Sequence, residues 1–174
     1  GRHNGQNAAA AVAVVRSLGL GNDEIEKGLR TFGGLAHRME QVAFREGVRF
    51  INDSKATNAE AAEKALASFD HIFWICGGIA KAGGIDSLAS YFPKVEEAFL
   101  IGEAADSFAK TLEGKVISRK CMDLAEAVRL ASEAAGKHDG EAVVLLSPAA
   151  ASFDQFASFE ARGDAFRDLV QEGG

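Results

Sequence analysis

Four short apolar runs separated by helical patterns constrain the fold more strongly than any other feature of this sequence. The runs lie at residues 71–76, 97–101, 115–118 and 142–146. Helical patterns lie at about residues 58–68, 85–91, 103–112, 123–135 and 155–171. Because the runs are continuous rather than alternating, they indicate strands that are covered on both faces. The regular alternation predicts an α/β fold, a doubly wound and mostly parallel Rossmann-like sheet with helices on both faces.

A hairpin signal and two N-terminal helical patterns complete the predicted architecture. Residues 42–44 and 48–51 flank Glu46-Gly47, which is typical of a β-hairpin and brings the sheet to about six strands. Ahead of it, residues 4–18 and about 23–31 have the pattern of short helices. We place a domain boundary after Phe32, which gives a helical segment, 1–32, and a larger domain, 33–174. Gly33-Gly34 is the candidate hinge between them.

Composition argues against several kinds of partner. The net charge of -6 disfavours nucleic acid or anionic lipid as a bulk partner, and no apolar run approaches the roughly 20 residues of a membrane span. Cys76 and Cys121 lie in apolar stretches, and we interpret both as buried, reduced thiols of a cytoplasmic protein. The histidines have no ligand-like spacing, so no metal site is predicted. They are His3, His37, His71 and His138.

Four loops follow the predicted strands and carry the polar residues of interest. In an open parallel sheet, ligands bind beyond the carboxyl ends of the strands. The loops are Asp-Ser-Lys-Ala-Thr-Asn at 53–58, Gly-Gly-Ile-Ala-Lys at 77–81, Gly-Glu at 102–103, and Ser-Pro-Ala-Ala-Ala-Ser at 147–152. We therefore expect the binding site at this edge of the sheet.

The loops offer positive charges and hydroxyls, and each also has a purely structural interpretation. Lys55 and Thr57 precede a helix whose N-terminus favours an anion, although the segment could equally be a capped helix start, with Thr57 or Asn58 as the cap. Lys81 follows two glycines and could be a solvated lysine after a plain turn. Ser152 could bind a ligand or cap the last helix. Two lysines and two hydroxyls together suit a small dicarboxylate.

Three phrases of the sequence resemble the Mur ligases, most closely those that add D-glutamate in bacterial peptidoglycan synthesis. They are Gly-Leu-Ala-His-Arg-Met-Glu at 34–40, Ile-Asn-Asp-Ser-Lys-Ala-Thr-Asn at 51–58, and the stretch from Leu-Ser-Pro at 146–148 to Phe-Glu-Ala-Arg-Gly at 159–163. Sister ligases carry Tyr-Ala-His-x-Pro or Asn-Ala-Asn-Pro text in place of the second phrase. The Asp-Asn-Pro-Arg motif of the diaminopimelate-adding sister is absent. The resemblance runs in order over essentially the whole chain.

The resemblance implies a reaction and its cofactors. ATP, with Mg²⁺, phosphorylates the carboxylate of UDP-MurNAc-L-alanine; the amine of D-glutamate then attacks the acyl phosphate, and phosphate leaves. The chain would be the C-terminal, amino-acid-binding domain, and residues 1–32 would be the helical tail of the central ATP-binding domain. The P-loop and the magnesium ligands of that central domain are missing, so the chain alone is expected to turn over no ATP. A cytoplasmic monomer is expected.

The resemblance also assigns roles to individual residues. Lys55 and His37 are the catalytic candidates. The D-glutamate-binding candidates are Thr57, Lys81, Ser152 and Phe159. The ATP-binding candidates are Asn4, Asn7, Arg38, Asp53 and Arg162. From the residues alone, His37-Arg38 could reach a phosphate or form a surface pair.

Three alternatives stay open. The chain could belong to another member of the Mur and folylpolyglutamate ligase superfamily. It could be a stand-alone Rossmann-like module that binds a nucleotide or an amino acid. It could also be a purely structural interaction domain, which no ligand would stabilise.

Overall fold

The computed structural model describes residues 2–173, and side chains from residue 5 to residue 173. The chain divides into two compact units, Gly1–Gly34 and Leu35–Gly174. The division lies two residues beyond the predicted boundary. That the first unit is the tail of an ATP-binding domain stays a prediction.

The first unit is a pair of helices, α1 (Arg2–Ser17) and α2 (Asn22–Thr31). Gly21 precedes α2, and its N–H donates to the Glu24 carboxylate at 3.0 Å, so Gly21 is the N-cap and the helix begins one residue before the predicted start at about residue 23. None of the side chains described between residues 5 and 34 is buried. The exposed apolar residues of this unit include Val14, Leu18, Leu29 and Phe32.

Residues 35–173 form six strands, four α-helices and one 3₁₀ helix. The strands are β1 (Glu40–Arg45), β2 (Val48–Asn52), β3 (Ile72–Gly77), β4 (Val95–Ile101), β5 (Ile117–Lys120) and β6 (Ala142–Leu146). The helices are α3 (Ala59–Ser68), α4 (Ala105–Leu112), α5 (Leu124–Ala135) and α6 (Phe159–Glu172), and the 3₁₀ helix is Asp86–Lys94.

The strands form one sheet in the order β1-β2-β6-β3-β4-β5. All neighbouring pairs are parallel except β1 and β2. These two strands form the predicted hairpin, and Glu46 and Gly47 at its turn both have positive φ, 49° and 83°, as expected for a two-residue hairpin turn of type I′. The predicted fold class is confirmed.

The sheet is covered on both faces, as the continuous apolar runs predict. Along β3, Trp74 belongs to the cluster on one face, and Phe73 and Ile75 belong to the cluster on the other face. Helices α3, α4 and the 3₁₀ helix pack on the first face, and α5 and α6 on the second. Burying each large apolar side chain contributes about 1.5–3 kcal/mol.

Side-chain caps determine where three of the helices begin. Asn58 accepts from the Ala61 N–H at 2.9 Å and caps α3, so Asn58 rather than Thr57 is the cap. Ser158 caps α6 in the same way, with an N–H to Oγ distance of 3.1 Å. The alternative in which Ser152 caps the last helix is therefore wrong. Asp123 caps α5.

Several predicted elements have other bounds in the structure; β5, for example, is Ile117–Lys120 rather than residues 115–118. Residue 71 was placed in a strand, but His71 has a φ of 52°, which an L-residue in a strand cannot adopt, so β3 begins at Ile72. The last helix was expected from residue 155, whereas a turn with Ser152 O as its acceptor occupies this stretch and α6 begins at Phe159.

Glycines at the carboxyl ends of β3 and β4 allow backbones to meet where a side chain would not fit. A Cβ on Gly77 would lie 2.0 Å from the Ile101 carbonyl oxygen, and one on Gly78 would lie 2.1 Å from that of Ala151. The φ angles of these two glycines are 123° and 125°. The loop after β3 is thereby held against the loop after β6.

We predict that Gly78→Ala costs at least about 3 kcal/mol of the free energy of unfolding, because it combines an unfavourable φ with a collision against backbone. Gly83→Ala is the matched control: its φ is 84°, but nothing lies within 4 Å of its Cβ, so it should cost only about 1–2 kcal/mol. Urea unfolding followed by the fluorescence of Trp74, the one tryptophan of the chain, measures both. Equal costs would contradict the proposed backbone collision.

Candidate functional site

The structure brings the loops after β2, β6, β3 and β4 to one edge of the sheet. Backbone hydrogen bonds join them in turn. Asp53 N donates to Leu146 O at 2.7 Å, Gly77 N to Pro148 O at 2.9 Å, and Gly78 N to Ile101 O at 3.1 Å. The Ile79 N–H donates to Ala151 O at 2.8 Å, which sets the segment leading to Lys81 beside the segment leading to Ser152.

A buried arginine lies beneath this edge. Arg162, in the first turn of α6, is 1% exposed. Its Nε donates to Ser54 Oγ at 3.0 Å, and one of its terminal nitrogens donates to the carbonyls of Ser54 and Ala150 at 3.0 and 3.1 Å. The planar guanidinium is suited to such a task because its donors point in fixed directions. Arg162 therefore ties α6 to the loops after β2 and β6.

This placement does not fit the predicted direct contact of Arg162 with ATP, because the guanidinium is enclosed and already donates to the Ser54 hydroxyl and to backbone carbonyls. Burial lowers the pKa of Arg162 to about 10, and the charge of Asp154 opposes that shift. The side chain stays protonated at neutral pH. The structure therefore supports a positioning role for Arg162.

The Asp53 side chain is also buried beneath this edge of the sheet. It is 6% exposed, and its two carboxylate oxygens accept from the Ser147 hydroxyl at 2.9 Å and from the Met39 N–H at 3.2 Å. Burial raises the pKa of Asp53 to about 6, although the two hydrogen bonds and the charge of Arg38 lower it in part. With both oxygens engaged, Asp53 holds the loops together and has little exposed surface for the predicted contact with ATP.

His37 packs under α6 and is 7% exposed. Its Nδ1 lies 3.2 Å from the Asn52 amide nitrogen, and its Nε2 lies 3.7 Å from the Asp164 carboxylate. An amide nitrogen can only donate, so this contact is a hydrogen bond in the tautomer whose Nδ1 carries no proton. A Cβ on Gly163 would lie 2.2 Å from Nδ1, so the glycine makes room for the ring.

A network of charges that sequence reasoning missed surrounds His37. The Glu40 carboxylate accepts from the backbone N–H of His37 at 2.9 Å and from the Arg167 guanidinium at 3.0 and 3.1 Å. Arg167 also donates to Asp164 at 2.7 Å, and the Asn52 amide donates to the Gly163 carbonyl at 3.0 Å. Glu40 and Arg167 are 127 positions apart, and Asn52 and Gly163 are 111 positions apart, so no local pattern could reveal these two contacts. The one available signal was Gly163, a glycine in a helical pattern.

Lys55 and Phe159 form the exposed part of the same corner. The Lys55 ammonium lies 3.8 Å from the centre of the Phe159 ring, a cation–π contact that fixes the charge without neutralising it. The Phe159 ring also meets His37 edge-on at 6.2 Å, and its carbonyl accepts from Ser54 Oγ at 2.8 Å. Lys55, a catalytic candidate, and Phe159, a D-glutamate-binding candidate, are therefore in direct contact.

The remaining predicted residues differ in accessibility. Lys81 is exposed in the loop after β3, and Thr57 is half-buried just before α3. Ser152 is 2% exposed, and its hydroxyl makes no hydrogen bond to any side chain or backbone group between residues 5 and 173. Arg38 is exposed. Asn7 is exposed on α1 in the first unit, and the side chain of Asn4 lies outside the described residues.

The comparison with protein families identifies the second unit. Residues 37–150 match the family described as Mur ligase, glutamate ligase domain. The chain belongs to the Mur ligase family. The resemblance inferred from the sequence is thereby confirmed, and the matched residues span the six strands described above and end within the loop after β6.

Similar curated proteins are longer than this chain. The UDP-N-acetylmuramoylalanine--D-glutamate ligases of Nitrobacter hamburgensis and of a Caulobacter species are 58% and 56% identical to it over 172 and 170 residues. Each match covers 98% of this chain but only 37% and 36% of those proteins. This member of the Mur ligase family thus spans a little over a third of the length of these relatives.

Solved structures share the fold. A UDP-N-acetylmuramate-alanine ligase from Thermotoga maritima matches with a TM-score of 0.67 at 17% identity, over 99% of this chain and 38% of that one. A bifunctional folylpolyglutamate synthase/dihydrofolate synthase from Yersinia pestis matches with a TM-score of 0.66 at 23% identity, over 94% of this chain and 38% of that one. In the part of the chain that the structure describes, no helix has the length and apolar character needed to cross a membrane.

We predict that Asp53 makes stability fall as pH rises from about 4 to 7. The native pKa of about 6 exceeds the ordinary value of 3.8, so the native state holds this proton more tightly. The resulting stabilisation is complete below pH 4 and is lost as pH rises through 6. Relative to wild type, Asp53→Asn should gain up to about 3 kcal/mol over this range. Urea unfolding at several pH values measures it, with the exposed Asp139→Asn as control. A pH-independent difference would contradict the raised pKa.

Arg162→Met should lower the free energy of unfolding by about 2–4 kcal/mol, because it leaves the Ser54 and Ala150 carbonyls buried without donors. Arg162→Lys should recover only part of the loss, since an ammonium cannot reproduce the planar, forked arrangement of the guanidinium donors. Arg129→Met, at an exposed ion pair on α5, should change stability by less than about 1 kcal/mol. Full recovery by lysine would show that charge, and not geometry, is what matters.

Proposed function

We propose that this chain is the amino-acid-binding part of an ATP-dependent ligase that adds D-glutamate to UDP-MurNAc-L-alanine. The observation that carries the proposal is the set of four loops joined at the carboxyl edge of the sheet, which bear two exposed lysines, Lys55 and Lys81, and the hydroxyls of Thr57 and Ser152. Membership of the Mur ligase family supports the reaction type, and the names of the relatives support the choice of amino acid.

The polar side chains at this edge fall into two groups, those that are hydrogen-bonded within the fold and those that are free to bind a ligand. The hydrogen-bonding groups of Arg162, Asp53 and His37 are engaged within the fold, and they hold the loops in place. Lys81 is an exposed cation, and Ser152 has a hydroxyl available beside it on the neighbouring loop. D-glutamate carries two carboxylates, and charge-assisted hydrogen bonds to such groups are the strong ones. We assign one carboxylate to Lys81 and Thr57 and the other to Ser152 and the backbone near Phe159.

His37 and Lys55 contribute differently to the proposed reaction. His37 is enclosed between Asn52, Gly163 and Asp164, so it acts by positioning the loop that carries Arg38. Lys55 exposes its ammonium and is steadied by the Phe159 ring. In that position it supplies positive charge to the anionic reactants as charge builds up during transfer.

The residues of this chain fit ATP only in part. Of the candidates in the second unit, Asp53 and Arg162 are enclosed, and Arg38 is the one that exposes its charge. ATP and Mg²⁺ would supply the activated carboxylate, and we assign their binding mainly to the additional length that the relatives possess. The contribution of this chain would be to hold the amine of D-glutamate in a fixed orientation, in a site that excludes water. The free thiols of Cys76 and Cys121, both buried, support the proposed cytoplasmic setting.

Titrating the isotope-labelled chain with D-glutamate, and separately with L-glutamate, tests the proposal by NMR. We expect D-selective shifts of the amides of Thr57, Lys81 and Ser152. Lys81→Ala should weaken binding at least about tenfold, through loss of a charge-assisted contact.

Lys64→Ala is the control, because it removes an exposed lysine from α3 and should leave the affinity unchanged. No shifts up to millimolar ligand, or equal shifts with both enantiomers, would count against D-glutamate as the ligand. Equal weakening by the two lysine variants would count against the assigned site.

A further inference from the structure

Two histidines and a glutamate meet at the opposite, amino-terminal edge of the sheet. His71 immediately precedes β3, Glu96 is the second residue of β4, and His138 follows α5. Each offers one ligand atom, and these atoms all lie within 4.8 Å of one another. The three residues are 67 positions apart at most, so the fold assembles them from separate segments.

The three side chains are already oriented toward one another. His71 Nδ1 lies 2.8 Å from Glu96 Oε1, and the His71 and His138 rings lie 4.6 Å apart at a tilt of 38°. The His138 ring is also held edge-on by Phe73 at 6.1 Å. Parallel pairing of β3 with β4 fixes the separation of His71 and Glu96 along the strands.

His71 has an unusual backbone, with a φ of 52°. This region is unfavourable for a residue other than glycine, and such a conformation is worth a functional explanation. The conformation turns the chain into β3 at the point where the imidazole joins Glu96 and His138.

Neighbouring carboxylates are occupied elsewhere. Glu97 is paired with Arg119, and Glu133 with Arg129. Asp70, next to His71, is paired with Lys94 at 3.1 Å. Glu96 pairs with no lysine or arginine among the described residues; its partner is His71, another of the three candidate ligands.

We propose that His71, Glu96 and His138 bind a divalent transition-metal ion, Zn²⁺ by preference. Two imidazoles and one carboxylate form a ligand set typical of zinc, whereas Mg²⁺ and Ca²⁺ prefer oxygen ligands alone. Tetrahedral bonds of about 2.1 Å place ligand atoms about 3.4 Å apart, so small rotations of exposed side chains close the site.

The fourth coordination position would face an open cavity. A cavity of about 370 Å³ adjoins the group and has Glu96 and His138 in its lining. Water, or an anion small enough for that space, completes the coordination. The bound ion links the starts of β3 and β4 to the loop after α5, at the end of the sheet away from the proposed D-glutamate site. The proposal is independent of that function.

Titrating the 174-residue chain with ZnCl₂ in a calorimeter tests the site. A His3→Ala background removes an imidazole whose side chain lies outside the described residues. We expect one Zn²⁺ per chain, and at least about tenfold weaker binding in each of His71→Asn, Glu96→Gln and His138→Gln. Asparagine suits residue 71 because it tolerates the positive φ.

Glu60→Gln is the matched control, because it removes an exposed glutamate from the first turn of α3, at the other edge of the sheet. It should leave Zn²⁺ affinity unchanged. As a second readout, Co²⁺ bound to the chain should show the visible absorption of a tetrahedral complex, and the three ligand variants should lose it.

No binding below about 1 mM Zn²⁺ would overturn the proposal. Binding that survives either histidine substitution, or that Glu60→Gln weakens equally, would also overturn it. Loss of binding in both histidine variants but not in Glu96→Gln would remove the carboxylate from the ligand set and refute the site as stated. Circular dichroism of each variant confirms that the sheet is intact.

Discussion

The carboxyl edge of this domain depends on one buried guanidinium. Arg162 donates to the hydroxyl and carbonyl of Ser54 and to the carbonyl of Ala150, so a single side chain sets the distance between two loops and α6. Burying a charge is costly unless its hydrogen bonds are satisfied, and here backbone carbonyls satisfy them in place of a carboxylate.

Glycines, which have no side chain, also determine the packing at this edge. Gly77 and Gly78 let the ends of neighbouring strands touch, and Gly163 lets the His37 ring lie against α6. Around that ring, Asn52 and Glu40 link the hairpin to the helix. The base of the edge is consequently rigid, whereas the groups assigned to ligand binding, Lys55 and Lys81, are exposed above it.

The sheet could be predicted from sequence because apolar runs report burial locally, and the topology of a parallel sheet then places the loops at one edge. What could not be predicted is which polar residues face inward. Ser54 and Arg162 are hydrogen-bonded across 108 positions. The residues next to each of them in the sequence give no indication of this contact. The same limit explains the histidines. They are scattered along the chain, yet parallel pairing of β3 with β4 brings His71 to Glu96, and the end of α5 adds His138.

The anchoring of His37 beneath α6 has a consequence for the segment that precedes it. His37 is fixed by Asn52 and by the space at Gly163, whereas residues 32–36 are all exposed. Among the side chains described from residue 5 onward, that of His37 is the first along the chain to be buried. The packed interior of the second unit therefore starts at this ring, and the residues just ahead of it contribute no buried side chain.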